Sequence, residues 1–278
     1  MLLAHASVDV NRPHSERITK GYGVDYTPKT ALQYASAIDA LEVMGLLLTI
    51  PNIDANVLSG TGCTALHYAC MYNHRFAVRR LVAHPSVDVN VPTPIGRFTP
   101  LHVAVSNNRY NAVCALLAPA STRVNNDANA ARSNTTSSHI FDANPAISRV
   151  FDANVANFHI NDAKGNDASS RINGVSGNDA GVGAISRSGA VNVNAVDVRG
   201  QTALHLAAIS GFVEIAEKLA LHPFVNPNVA DNDGDTPLHL SSRHNRPSVT
   251  KVLLGMPGID LEAQNHLGLL WYEHMYVE

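Results

Sequence analysis

Thr64-Ala-Leu-His-Tyr-Ala69, Thr99-Pro-Leu-His-Val-Ala104, Thr202-Ala-Leu-His-Leu-Ala207 and Thr236-Pro-Leu-His-Leu-Ser241 decide the fold, and Thr30-Ala-Leu-Gln-Tyr-Ala35 is an altered fifth copy. Their threonines stand 34, 35, 103 and 34 residues apart. A second marker runs in phase: a proline lies 21 residues after four of them, at Pro51, Pro85, Pro223 and Pro257. Each proline opens a short loop, Pro51-Asn-Ile-Asp-Ala-Asn56, Pro85-Ser-Val-Asp-Val-Asn90, Pro223-Phe-Val-Asn-Pro-Asn228 and Pro257-Gly-Ile-Asp-Leu-Glu262. Two independent markers locked to one period identify a tandem repeat.

The chemistry of one unit reads as turn, short helix, turn, longer helix. Threonine is a good N-cap because its hydroxyl accepts from an orphan N–H at the helix start. Proline fits directly after it, where its missing N–H has no intrahelical partner. Leu66 and Ala69, Leu101 and Ala104, and Leu204 and Ala207 follow at helical spacing, and the small alanines let neighbouring helices approach closely. A second helical stretch comes next, as in Phe76-Ala-Val-Arg-Arg-Leu-Val82 and Val213-Glu-Ile-Ala-Glu-Lys-Leu219. Gly62, Gly200 and Gly234 precede the threonine by two, where a tight turn wants positive φ.

These motifs resemble the ankyrin repeat, whose T-P-L-H-x-A signature recurs every ~33 residues. The resemblance covers about residues 25–118 and 190–265. It implies an all-α solenoid of stacked helix pairs with hairpin-like loops projecting from one edge, each unit packing only on its neighbours.

Composition narrows the function classes. Charged residues make up 15% of the chain and the formal net charge is -3, so no global field draws it to nucleic acid or to an acidic membrane. The longest near-apolar run, Val43 to Ile50, is far short of the ~20 residues that span a bilayer, and no signal peptide is visible at the start. Three cysteines, Cys63, Cys70 and Cys114, argue against a disulfide framework and for a cytoplasmic or nuclear location. No nucleophile elbow, phosphate loop, kinase signature or zinc motif occurs, so neither an enzyme nor a metal or cofactor site is expected.

Three regions depart from the pattern. In the first unit Gln33 replaces the motif histidine, and upstream Leu2-Leu-Ala-His-Ala-Ser-Val-Asp-Val-Asn11 copies the loop ending at Asn90, so it reads as the tail half of a unit. A truncation and a gene-model artefact both account for this start. At the other end Gly268-Leu-Leu-Trp-Tyr-Glu-His274 stands where a sixth motif would begin; Trp271 and Tyr272 are expected to cap the stack, the alternative being a chain that stops mid-repeat. The long interval exceeds one period by close to two units, yet Ser133-Asn-Thr-Thr-Ser-Ser138 and Ala168-Ser-Ser-Arg-Ile172 carry no motif. Residues 120–188 are instead rich in Asn, Asp, Ala and Gly, with short copies such as Phe141-Asp-Ala-Asn144 and Phe151-Asp-Ala-Asn154, and are expected to form a disordered insertion. The expected organisation is therefore residues 1–119, an N-terminal half unit and three units; 120–188, the insertion; and 189–278, the C-terminal units and end cap.

The 14 histidines and the regularly spaced Asp142, Asp152 and Asp162 are not read as ligands. In the ankyrin family the motif histidine, here His67, His102, His205 and His239, bonds to the motif threonine and to neighbouring backbone. His84 and His222, at the ends of second helices, suit the helix dipole. No calcium loop surrounds the aspartates.

The resemblance also implies where a partner binds: the loop tips before the motif threonine and the later part of the first helix. Carried over by position, the tip set includes Tyr26, Lys29, Ile95, Phe98, Arg199, Gln201 and Asp233, with Thr61, Cys63 and Asp235 beside them. The helix set includes Met71, Tyr72, Ile209, Arg243 and His244, with Ser106, Asn107 and Ser210. Met71, Tyr72, Ile95 and Phe98 supply the aromatic and apolar character usual at interface centres. The expected function is a scaffold or adaptor that binds another protein as a monomer, with neither nucleic acid nor membrane as partner. The alternatives are a substrate-recruiting part of a larger enzyme, as in ubiquitin-ligase adaptors or injected effectors, and a purely structural spacer.

Overall fold

The computed structural model describes residues 9–14, 27–118 and 190–273, all within one compact unit. Among them are five helix pairs: α1 Ala31–Ala37 with α2 Leu41–Leu48, α3 Ala65–Met71 with α4 Arg75–Ala83, α5 Pro100–Ser106 with α6 Tyr110–Leu116, α7 Ala203–Ser210 with α8 Val213–Ala220, and α9 Pro237–Arg243 with α10 Pro247–Leu254. Each first helix starts directly after its motif threonine, as the sequence predicts. The extended backbone at Thr30, Thr64, Thr99, Thr202 and Thr236 sets up the cap.

The cap is reciprocal and fixes the histidine tautomer. The N–H of Thr64 donates to Nδ1 of His67 at 3.1 Å, and the same bond is 3.3 Å at Thr99, 3.0 Å at Thr202 and 3.3 Å at Thr236. Nδ1 is therefore the acceptor, which leaves the proton on Nε2. Gln33 reproduces the arrangement with an amide: its Oε1 accepts from Thr30 N–H at 2.8 Å.

Two rows of helices build the core. First helices pack in the order α1, α3, α5, α7, α9 and second helices in the order α2, α4, α6, α8, α10. Where first helices meet, small side chains sit at one recurring position, Ala35, Ala69, Ala104, Ala207 and Ser241, all buried. A leucine recurs in each second helix, Leu47, Leu81, Leu116, Leu219 and Leu253, and is buried every time. Burying one such side chain contributes about 1.5–3 kcal/mol. The turn inside each pair needs a left-handed residue, met by Asp39, Asn73, Asn108, Gly211 and Asn245, types that tolerate positive φ.

Two ladders of hydrogen bonds tie unit to unit. In the first, the Nε2–H of the motif histidine donates to the carbonyl just before the next motif threonine: His67 to Phe98 at 3.0 Å, His102 to Gln201 at 3.0 Å, His205 to Asp235 at 3.1 Å and His239 to Leu269 at 3.1 Å. Gln33 does the same to Cys63 O with its amide, at 3.2 Å. In the second, an asparagine ending each closing loop donates to and accepts from the next closing loop. Asn56 joins Ser86 O and Asp88 N–H, Asn90 joins Ala190 O and Asn192 N–H, Asn194 joins Phe224 O and Asn226 N–H, and Asn228 joins Gly258 O and Asp260 N–H, each bond 2.7–2.9 Å long.

The ladders assign the irregular regions. Asn11 makes a rung with Asn52 O and Asp54 N–H, so residues 9–14 form a closing loop in the same series. Asn90 reaches Ala190, so 190–194 is the closing loop of the third unit, and residues 119–189 interrupt that unit after α6. The expected disorder of 120–188 lies outside the described residues. At the far end Gly268 takes positive φ, and Leu270 N–H donates to Glu273 Oε2 at 2.7 Å, so Leu270 and Glu273 stand where threonine and histidine stand in the motif. Trp271 packs on the core edge-to-face with Tyr272.

Candidate functional site

The loops before the motif threonines are tight hairpins whose shape is set from inside. The Asp197 carboxylate accepts from Arg199 N–H at 2.8 Å and Gln201 N–H at 2.9 Å. Asp231 does the same for Asp233 and Asp235, and the Asn265 side-chain oxygen for Leu267 and Leu269. Adjacent tips are joined edge to edge. Val198 N–H donates to Gly96 O at 3.1 Å, Asn232 N–H to Arg199 O at 2.9 Å, and His266 N–H to Asp233 O at 3.1 Å. The tips thus form a continuous row, with the ends of the first helices beside it.

On this row the residues expected at a partner-binding site divide into two groups. Ile95 is 56% exposed and Tyr72 37%, while Arg199, Asp233, Arg243 and His244 are also exposed. Lys29 is half-buried, with its Nζ 5.2 Å from the centre of the Tyr68 ring. Phe98 is half-buried: its ring lies over Gly96, where an added Cβ would sit 2.5 Å from the ring edge. Tyr26 lies outside the described residues.

Of the remaining residues, Met71 and Gln201 are buried rather than exposed and Ile209 is half-buried. Met71 is only 7% exposed, because α3 lies between α1 and α5 and the Arg109 side chain crosses over its carbonyl at 2.8 Å. Ile209 is half-buried against the core. Gln201 is 7% exposed and its amide turns toward Asp231 at 3.4 Å. Cys63 and Asp235, in the same position of their loops, are fully buried. The residue immediately before the motif threonine is therefore buried in three of the loops, at Cys63, Gln201 and Asp235, while Phe98 in that position is half-buried. Asp235 is held there by Arg243 and by Asn265 Nδ2 at 2.8 Å.

Three exposed residues on the row went unremarked in the sequence. Val198 is 43% exposed, Leu267 is 78% exposed, and Arg97 stands out at φ 54°. The first two occupy the positions of residues that were chosen in other loops, so position alone could have found them. Arg97 takes the slot filled by Gly62, Gly200 and Gly234 elsewhere, and a non-glycine residue there costs roughly 1–2 kcal/mol.

The buried titratable groups serve structure. Burial holds His67 down at about 4, and lowers His102 and His205 as well, so these rings stay neutral. Burial pushes the Cys63 thiol up to about 11, which keeps it in the unreactive protonated form. The carboxylates of Asp231, Asp233 and Asp235 lie within 4.8 Å of one another, but Asp231 already accepts two backbone N–H groups and Asp235 pairs with Arg243. None of the described helices is long and apolar enough to cross a membrane.

Comparison with known proteins agrees with this architecture. Residues 32–128 and 176–265 match the profile of a family described as ankyrin repeats, three copies. A human protein named SMC5-SMC6 complex localization factor protein 1 is 40% identical over 80 residues, 28% of this chain and 7% of that protein. The neurogenic locus notch homolog protein 1 of Xenopus tropicalis is 31% identical over 186 residues, 67% of this chain and 6% of that protein. The human notch homolog protein 1 is 38% identical over 75 residues, 27% of this chain and 3% of that protein. The chain therefore spans only a small fraction of the length of these relatives.

Proposed function

The chain belongs to the ankyrin-repeat family, whose members generally mediate protein–protein interaction, and from that premise we propose that it is a scaffold or adaptor gripping a partner protein along its row of loop tips and first-helix ends. One observation carries this reading. Ile95, Val198, Leu267 and Tyr72 are exposed on one row although every unit beneath them already has a filled core. Apolar groups at loop tips contribute little to folding, and contiguous exposed apolar surface marks interaction sites. On this reading the chain works without catalysis, as a monomer, in the cytosol or nucleus, and neither nucleic acid nor membrane is its partner.

The 7% and 6% coverage of the relatives favours a second form of the same reading, in which these units recruit a partner for a longer protein, such as a ubiquitin ligase or effector. The name of the human relative, a localization factor, is in keeping with a recruiting role.

The test is Tyr72→Ala, Ile95→Ala and Val198→Ala, each assayed for thermal stability and for capture of the partner the wild type retains. Truncating a true anchor lowers affinity by roughly 30-fold, about 2 kcal/mol, and leaves stability unchanged. Full affinity in all three variants would exclude this face.

A further inference from the structure

We propose that the paired loop tips Ile95-Gly-Arg97 and Val198-Arg199 read an acidic peptide segment that carries an aliphatic or aromatic side chain. The proposal rests on the tip row being the binding face and adds the chemistry of its partner.

The first observation is a duplicated pattern. Each of the two tips presents an exposed apolar residue followed by an exposed arginine, two positions on from Ile95 and one on from Val198, and the Val198 N–H to Gly96 O bond of 3.1 Å holds the two tips side by side. Guanidinium groups pair with carboxylates through two parallel bonds, and apolar side chains between them shelter an anchor.

The second observation is the backbone of Arg97. It is held at φ 54° directly after Gly96 at φ 81°, in a tip one residue longer than those before Thr64, Thr202 and Thr236, where a single glycine, Gly62, Gly200 or Gly234, takes φ 75°, 76° or 78°. Glycine would form this turn with less strain, so folding does not account for the arginine. Strained residues of this kind cluster where a ligand is contacted.

Asp197 beside the tips is buried and accepts two backbone N–H groups. Apart from Asp233, the exposed acids among the described residues, Asp9, Glu42, Asp54, Asp88, Glu214, Glu217, Asp260 and Glu262, stand on second helices and closing loops. Asp233, exposed in the next tip, repels the same ligand and marks where its acidic stretch ends.

The test is selection of a displayed library of random 12-residue peptides on the full chain, followed by solution affinities of the selected peptides. Enrichment of Asp and Glu around one apolar residue is expected, with binding that weakens as salt rises. Arg97→Gly should lower affinity about tenfold while thermal stability stays equal or rises, which no unfolding artefact produces. Arg97→Glu combined with Arg199→Glu should shift a fresh selection toward Lys and Arg. Neutral or basic peptides from the wild type, no selected peptide at all, unchanged affinity in Arg97→Gly, or tighter binding of a single-stranded oligonucleotide than of any peptide would each overturn the proposal. Non-acidic peptides that lose binding in Ile95→Ala would leave the binding face intact and remove only the acidic class. Acidic peptides indifferent to Ile95→Ala, Val198→Ala and Arg97→Gly would remove the face as well.

Discussion

His67, His102 and His205 make the stack sensitive to acid, and Gln33 shows how one share of that sensitivity can be removed. His67 is fully buried, with Nδ1 accepting from Thr64 N–H and Nε2–H donating to Phe98 O; the first bond requires the neutral ring, whereas the second is open to the protonated ring as well. Burial is the main reason its pKa falls to about 4, helped by the neighbouring His102 and opposed by the bond to Phe98. In the unfolded chain the same ring takes up a proton near pH ~6.5. Between these values the unfolded state binds a proton that the folded state refuses. Stability from this ring is therefore complete above about pH 6.5, is lost as pH falls, and stops falling below about 4. Integrated from neutral pH to about pH 4.5, His67 alone removes about 2.4 kcal/mol. His102 and His205 are lowered in the same direction and add to the loss. Gln33 makes the equivalent bonds without titrating. His67→Gln is thus expected to match the wild type at neutral pH within about 1 kcal/mol and to lose about 2.4 kcal/mol less on acidification. Gln33→His should do the reverse. Urea unfolding followed by far-UV circular dichroism, at a series of pH values with m checked for constancy, measures both. Equal acid losses in the wild type and His67→Gln would refute the reasoning, because the buried ring would then contribute nothing to the proton balance.

Further outcomes follow from the ladders and turns. Asn194→Ala removes a rung to Phe224 O and Asn226 N–H and should lower stability by about 1–3 kcal/mol with binding at the tips unchanged, read by urea unfolding. Gly234→Ala places a Cβ 2.6 Å from His266 N at φ 78° and should cost more than the roughly 1–2 kcal/mol of backbone strain alone; a variant as stable as the wild type in a thermal melt would contradict the turn geometry. Leu219→Ala should destabilise by about 2–5 kcal/mol in the same melt. Replacing residues 120–188 by a linker of a few residues should leave cooperative unfolding intact, since the rungs from Asn90 and His102 reach Ala190 and Gln201 directly. Loss of the transition on deletion would show that those residues take part in the fold.

The fold was legible because its markers act locally. The motif threonine and proline cap a helix start, and the following leucine and alanine read as a helical face without knowledge of any partner. The positions of all five helix pairs follow from them. What the sequence concealed depends on the neighbouring unit. Gln33 reads as decay of the motif, yet an amide has the donor and acceptor that the site needs. The asparagines ending the closing loops look like polar loop residues until the next loop is placed beside them; their signal is the recurrence of Asn at 11, 56, 90, 194 and 228, with Glu262 in that position of the last loop. The candidate site was legible by position but not by direction. Arg199 and Gln201 belong to one tip, yet the chain turns between them at Gly200, so Arg199 is exposed and Gln201 buried. Met71 reads as exposed from its own helix alone and is buried because α1 and α5 pack on either side of that helix. Arg97 was missed because its slot was recognised only where glycine fills it.

The break in the third unit has a kinetic consequence. The rungs from Asn56 and Asn194 join residues 30 to 32 apart and those from Asn11 join residues 41 and 43 apart, whereas Asn90 to Ala190, Asn90 to Asn192 and His102 to Gln201 span 100, 102 and 99 positions. Closure entropy alone makes such a contact about 1 kcal/mol harder to form. The units before the break and those after it are assembled from short-range contacts, and short-range contacts form fast. The seam between α5 and α7 therefore closes last during refolding. Two preformed blocks meet there, and the slowest step is their docking rather than the growth of either one.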